Sequence, residues 1–103
     1  MLPGFEVWIN QQGYTPKTAG SRLSDVGRLD AAFGGLDRLY DRDALQDAFS
    51  RLIYSREDQR SGLANPSPVT IEGDLYEGLA TMLQALRLYI RFRKERAATR
   101  NAH

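Results

Sequence analysis

Apolar residues recur at spacings of three and four through residues 73–96, GDLYEGLATMLQALRLYIRFRKER, the longest uninterrupted helical pattern in the chain. Leu75, Leu79, Met82, Leu83, Leu86, Tyr89, Ile90 and Phe92 or Arg93 fall on one face of a helix. Gly73 and Asp74 stand where a stop and an N-cap belong, and the Asp74 carboxylate is placed to accept the free N–H groups of the first turn. Glu77, three residues on, makes this an acidic capping box. Arg91, Arg93, Lys94 and Arg96 occupy the exit, where cations complement the helix dipole. The pattern predicts a rod that is apolar in its body and basic at its end.

Three further helices precede it. In residues 3–12, Phe5, Trp8 and Ile9 lie at i, i+3 and i+4, and Gly13 is a stop in the left-handed region. Thr15 is a candidate N-cap with Pro16 at the first helical position, opening a second helix that runs to about Phe33. Its buried side is Ala19, Leu23, Val26, Leu29 or Asp30, and Phe33; its other side carries Lys17, Ser21, Arg22, Ser24, Asp25 and Arg28. Gly20 and Gly27 weaken it by about 1 kcal/mol each relative to alanine, and Gly27 permits another helix to approach closely. Gly34-Gly35 end it. Residues 36–40 read as a connector of at most one turn. Asp41 then caps a third helix over residues 42–54, with Leu45, Ala48, Phe49, Leu52 and Ile53 as its apolar stripe.

From Ser55 the composition shifts. Residues 55–58 form a final turn or a capped short extension, and Ser61, Gly62, Asn65, Pro66, Ser67 and Pro68 are loop residues. Val69 and Ile71 alternate with Thr70 in an extended arm that tucks two side chains into the core without building a sheet. The expected fold is an all-α, compact bundle of four main helices with one long Pro-containing loop. A single helical domain covers residues 1–96, and residues 97–103 are a frayed basic tail or the start of a linker.

Composition narrows the function classes. The chain has 103 residues, enough for one modest core. Apolar residues make up 42% and charged residues 26%, globular values. The net charge of +1 means that a nucleic-acid role must rest on local clustering. Cysteine is absent, which excludes thiolate metal sites and a cysteine nucleophile and agrees with a cytoplasmic location. No apolar run approaches the roughly 20 residues of a membrane span, and the start, MLPGFEVW, has no signal-peptide character. One histidine, His103, and no cysteine leave no zinc site. No phosphate-binding loop, dinucleotide fingerprint or nucleophile elbow occurs, so neither an enzyme nor a cofactor is expected. Asp37, Asp41, Asp43 and Asp47 lack the central glycine and final glutamate of a calcium loop, and read as caps and a solvated helix face. Trp8, Tyr40, Tyr54, Tyr76 and Tyr89 read as core or rim packing rather than base-stacking platforms.

Two basic clusters remain. Residues 14–22, YTPKTAGSR, combine a helix start with the hydroxyls of Thr15 and Thr18 and the charges of Lys17 and Arg22. Such a start either holds a phosphate or caps itself. The exit of the last helix carries Arg87, Arg91, Arg93, Lys94, Arg96 and Arg100, with Arg87, Arg91 and Lys94 sharing a face. It either meets a polyanion or is a solvated terminal face.

The order of these features resembles a known family. The pattern F-x-x-W-I/L, then G-Y/F-S/T-x-x-T, then a long helix ending in glycine, is similar to the N-terminal SAM-like, core-binding domain of phage integrases and other tyrosine recombinases. Here the motif residues are Phe5, Trp8 and Ile9, then Gly13, Tyr14, Thr15 and Thr18. Residues 80–92, with Leu86, Arg87, Tyr89 and Phe92, look like the family's final helix. The resemblance spans residues 5–94 and implies a helical clamp on duplex DNA. The matched contact positions are Thr15, Lys17, Thr18 and Arg22, then Thr81, Gln84, Arg87 and Arg91, to which Lys94 is added from the shared face. The family's catalytic domain has no counterpart, so the expectation is DNA binding without catalysis. Residues 54–73 form a longer and more acidic loop than the family pattern. The alternative is a protein-interaction or oligomerisation module, such as a small phage- or defence-related regulator or inhibitor with a protein partner.

Overall fold

The computed structural model describes residues 1–101, with side chains through Thr99; His103 and the side chain of Arg100 lie outside the described residues. Six helical segments follow one another, with no strand among the described residues: α1 (Gly4–Asn10), α2 (Pro16–Ala32), α3 (Leu36–Asp43), α4 (Gln46–Ser50), α5 (Arg56–Arg60) and α6 (Leu75–Asn101). The all-α expectation holds.

The chain reverses after α1 at Gly13, whose φ of 85° is the left-handed conformation that glycine adopts without strain. Thr15 then caps α2: its Oγ1 accepts the Thr18 N–H at 3.2 Å, with Pro16 in the first turn. Gly34 and Gly35, both at positive φ, stop α2, and the Gly35 N–H closes back onto the Asp30 carbonyl at 2.9 Å.

The third helix differs from expectation. It begins at Leu36, directly after Gly35, and Asp41 lies inside it rather than capping it. Its first N–H, that of Leu36, is received by Asp30 Oδ1 at 2.9 Å from the end of α2. The helix stops at Asp43 because Ala44 (φ 58°) and Leu45 (φ 66°) both turn left-handed. Such residues cost about 1–3 kcal/mol each and persist only where their surroundings impose them. Two local forces do so. The Asp43 carboxylate accepts the N–H groups of Leu45 and Asp47, both at 3.1 Å, and the break drives the Leu45 side chain into full burial. The stripe Leu45, Ala48 and Leu52 is buried as expected, but Ile53 is 57% exposed.

Ser55 opens α5 through a reciprocal capping box with Asp58. Past α5 the Asn65 side chain organises the proline loop, donating to the Val69 carbonyl at 2.7 Å and accepting the Ser67 N–H at 2.9 Å. The arm that follows buries Val69 and half-buries Ile71. Asp74 caps α6 through the Glu77 N–H at 3.0 Å. Its reciprocal partner is Gln59 rather than Glu77. Gln59 Oε1 accepts the Tyr76 N–H and Nε2 donates to Asp74 Oδ1, each at 2.7 Å, so α5 closes the start of α6.

α6 spans 27 residues, about 40 Å at the helical rise, and sets the long dimension of a body of 50 × 32 × 20 Å. It is continuous through Asn101, past the expected limit at Arg96. Leu79, Met82, Ala85, Leu86, Leu88, Tyr89 and Phe92 are its buried residues, each worth about 1.5–3 kcal/mol for the larger side chains. Ala85 and Leu88 widen the stripe read from spacing, because α6 is flanked by α1, α2 and α5. Phe5, Trp8, Tyr89 and Phe92 close one end of the core, with ring centroids 5.1–5.8 Å apart.

The glycine that admits a close neighbour is Gly78, not Gly27. A Cβ on Gly27 would meet nothing within 4 Å, whereas one on Gly78 would collide with Ile71 Cγ2 of the arm. Gly78→Ala is therefore expected to destabilise by about 1–3 kcal/mol through overpacking, despite alanine's better helix propensity. Gly20→Ala, in open space on α2, is expected to stabilise by up to about 1 kcal/mol. Urea midpoints of the two variants check this; a stabilised Gly78→Ala would mean that the arm does not pack there.

Candidate nucleic-acid interface

The start of α2 spends its hydroxyls on itself. Thr15 Oγ1 accepts the Thr18 N–H and donates to Thr18 Oγ1 at 3.1 Å. Both threonines remain exposed, as does Lys17. Arg22 leaves this surface: its side chain is only 21% exposed, its Nη1 lies 3.6 Å from Asp25, and its Nε is buried without a partner.

On α6, Gln84, Arg87, Arg91 and Lys94 are all exposed. Arg87 lies over the Phe49 ring of α4, 5.4 Å from its centroid. Arg91 lies over the Trp8 ring at the same distance and donates to Gln12 Oε1 at 3.1 Å. Gln12 is three residues before the cap of α2, so this bond ties the α6 row to the α1–α2 turn. Thr81 is half-buried and stands apart, in the wall of a groove of about 810 Å³ with Asp25, Arg28, Ile71 and Met82. Of the nine expected contact positions, Arg22 is mostly buried beside Asp25 and Thr81 is half-buried in the groove wall, so neither stands in the exposed row.

Arg93, expected at the basic exit, is instead an internal tie. It is 15% exposed, donates to Asp37 Oδ1 at 2.6 Å, reaches Asp41 at 3.4 Å and covers the Tyr40 ring at 4.3 Å. Its alternation with Phe92 in the apolar stripe was the available signal. Tyr89 O–H donates to the same Asp37 oxygen and its own oxygen accepts the Leu2 N–H at 2.8 Å. The Met1 ammonium lies 3.3 Å from Asp37 Oδ2 and 2.9 Å from Asp30 Oδ1. These ion pairs take up Asp37 and Asp41, Asp43 serves as a cap and Asp47 is exposed, and no group of three metal-ligating side chains occurs among the described residues.

Two carboxylates differ in sign. Burial works against the Asp37 charge, but the hydrogen bonds from Tyr89, Arg93 and the amino terminus outweigh it and hold the carboxyl below its ordinary 3.8. Burial pushes Asp25 above 3.8, and the charges of Arg22 and Arg28 offset only part of that. Burial, together with the Asp37 bond, raises the Tyr89 phenol far above its usual range.

No protein-family model matches the chain, and no curated protein or solved structure matches it either. Among the described residues no helix is long and apolar enough to cross a membrane.

The carboxylates give opposite pH effects. Asp37 is depressed in the folded state, so its contribution is full above the unfolded value and is lost as pH falls through the lower folded value. Asp25 is raised, so its ionisation costs stability at neutral pH and that cost disappears in acid. Asp37→Asn should lose about 1–3 kcal/mol at pH 7 and flatten the acid limb below about pH 4. Asp25→Asn should change stability by less than about 1 kcal/mol. Urea titrations between pH 3 and 7 check this, and equal losses in both variants would contradict the assignment.

Proposed function

We propose that this chain is a non-catalytic DNA-binding module of the SAM-like, core-binding kind, gripping duplex DNA through its phosphate backbone. The observation that carries the reading is the exposed row Gln84, Arg87, Arg91 and Lys94, tied through Gln12 to the turn that presents Thr15, Lys17 and Thr18. Cations spaced by one helical turn match the spacing of a phosphate chain better than that of a small ligand. Recognition through about four or five cations gives sequence-tolerant affinity that falls steeply with salt. The setting is a cytoplasmic, prokaryotic or phage one, with no cofactor required.

A second reading, a protein-interaction or homo-oligomerisation module, draws on a different place. Ile53 is 57% and Leu63 53% exposed, and the Tyr54 hydroxyl donates to the Leu63 carbonyl. Large apolar side chains so exposed are candidates for cover by a partner protein where they adjoin.

Titration of a labelled duplex at about 50 and 200 mM salt separates the readings. The Lys17 and Lys94 side chains make no hydrogen bond or ion pair among the described residues, so alanine there tests binding without touching the fold. Each change should weaken affinity severalfold and lower the salt slope by about 1. Stability should stay within about 0.5 kcal/mol. Absence of binding at about 50 mM salt would overturn the DNA reading. A dimer in light scattering that Ile53→Ser or Leu63→Ser dissociates would favour the second.

A further inference from the structure

Arg91 is held from three sides. Its guanidinium lies 5.4 Å from the Trp8 ring centroid, its Nη2 donates to Gln12 Oε1 at 3.1 Å, and its Nε donates to Glu95 Oε2 at 3.0 Å. An exposed arginine ordinarily samples many rotamers, and fixing one is an entropic cost that the partner of a free arginine must bear. Here the ring and the amide have already fixed it. These two partners are neutral, and an arriving anion has no reason to dislodge them. The third is different: Glu95 is a carboxylate in the position that a phosphate oxygen would take. It is the only acid in residues 78–101, set among Arg91, Arg93, Lys94 and Arg96. The pair is 57% and 50% exposed, so it is weak enough to be exchanged.

We propose that Arg91 is the anchor of the backbone contact, that Trp8 and Gln12 position it, and that Glu95 is a built-in counter-ion which a phosphate displaces. The proposal rests on the DNA reading above and adds the regulation of that surface. Glu95 keeps the anchor neutralised until a stronger, multivalent anion arrives. A single free anion competes poorly, while a phosphate chain that also meets Arg87 and Lys94 gains the other contacts at the same time. The module thus selects a polyanion over a lone phosphate, and Glu95 sets the salt concentration at which binding is lost.

The experiment is a double-mutant cycle on duplex affinity, using the full chain as Glu95→Gln, Arg91→Ala and the two together. Glu95→Gln should tighten binding about three- to tenfold at about 50 mM salt and steepen the logarithmic salt dependence by about 0.9, one more counter-ion released. In the Arg91→Ala background the gain should vanish, and Gln12→Ala should weaken binding severalfold, with the thermal midpoint lowered only slightly by loss of its bond to the Trp8 carbonyl. If Glu95→Gln tightens binding equally without Arg91, Glu95 acts by general repulsion and the proposal is overturned. If the unaltered chain binds, depends on Lys17 and Lys94, and gains nothing from Glu95→Gln, the counter-ion role fails while the DNA reading stands. If none of the proteins binds, both fail.

Discussion

A half-buried carboxylate must be answered by donors, and Asp37 is where this chain meets that requirement. Its oxygens receive Tyr89 and Arg93 from α6 and the ammonium of Met1, and they do so from the first turn of α3. Asp30, at the end of α2, shares the ammonium and also caps α3. The end of α2, the start of α3, the body of α6 and the beginning of the chain are therefore fixed by one connected set of charges. Apolar burial supplies most of the stabilisation but no direction. The network supplies direction, because breaking one partner leaves the others charged and unmatched.

That requirement also divides the basic end of α6. Arg91 and Arg93 are two residues apart, so they point to different sides of the helix. Arg93 goes inward to Asp37, and Arg91 goes outward over Trp8. A count of positive residues along the helix hides this division. Elsewhere Arg28 donates to the Thr70 carbonyl, Arg38 to the Gly34 carbonyl, and Arg51 and Arg56 lie over Phe33 and Tyr76. The chain uses guanidinium groups as structural donors and ring covers, which their planar, multiply donating geometry suits.

What could be read from sequence follows from this. Helix starts and stops that depend on one residue's own conformation were legible: Gly13, Thr15-Pro16, Gly34-Gly35, Ser55 and Asp74 behave as their chemistry dictates. So did the apolar periodicity of α2 and α6, since it reflects a geometry that every helix shares. The break at Ala44 and Leu45 was not legible. Neither residue favours the left-handed region, and only the Asp43 carboxylate together with burial of Leu45 makes it tolerable. For the candidate surface, exposure of Lys17, Gln84, Arg87, Arg91 and Lys94 followed from helical phase. The inward turn of Arg22 had a local signal, Asp25 one turn on in the same helix; that of Arg93 was signalled only by its place beside Phe92 at the edge of the apolar stripe, because its acid is brought near by the fold. Asp37 is 56 residues from Arg93, and pattern within one helix carries no information about such a partner. Gln59 taking the place assigned to Glu77 at the cap of α6 is the same lesson at shorter range.

With 14 basic and 13 acidic side chains, the molecule has almost no net field with which to steer a polyanion from a distance. Whatever affinity it has for DNA must arise at contact, from cations held in the right place rather than from their number. Arginines resting on aromatic rings suit that demand, since a ring fixes the guanidinium plane without consuming its donors. Arg87 on Phe49 meets this condition, and Arg91 on Trp8, one turn on, meets it in part, since its Nε and Nη2 already donate to Glu95 and Gln12. Pre-positioning lowers the ordering cost of each contact, which is how a nearly neutral chain can still present a short, effective row of positive charge. The same neutrality keeps long-range attraction low, so occupancy would depend on the local contacts of that row with phosphates.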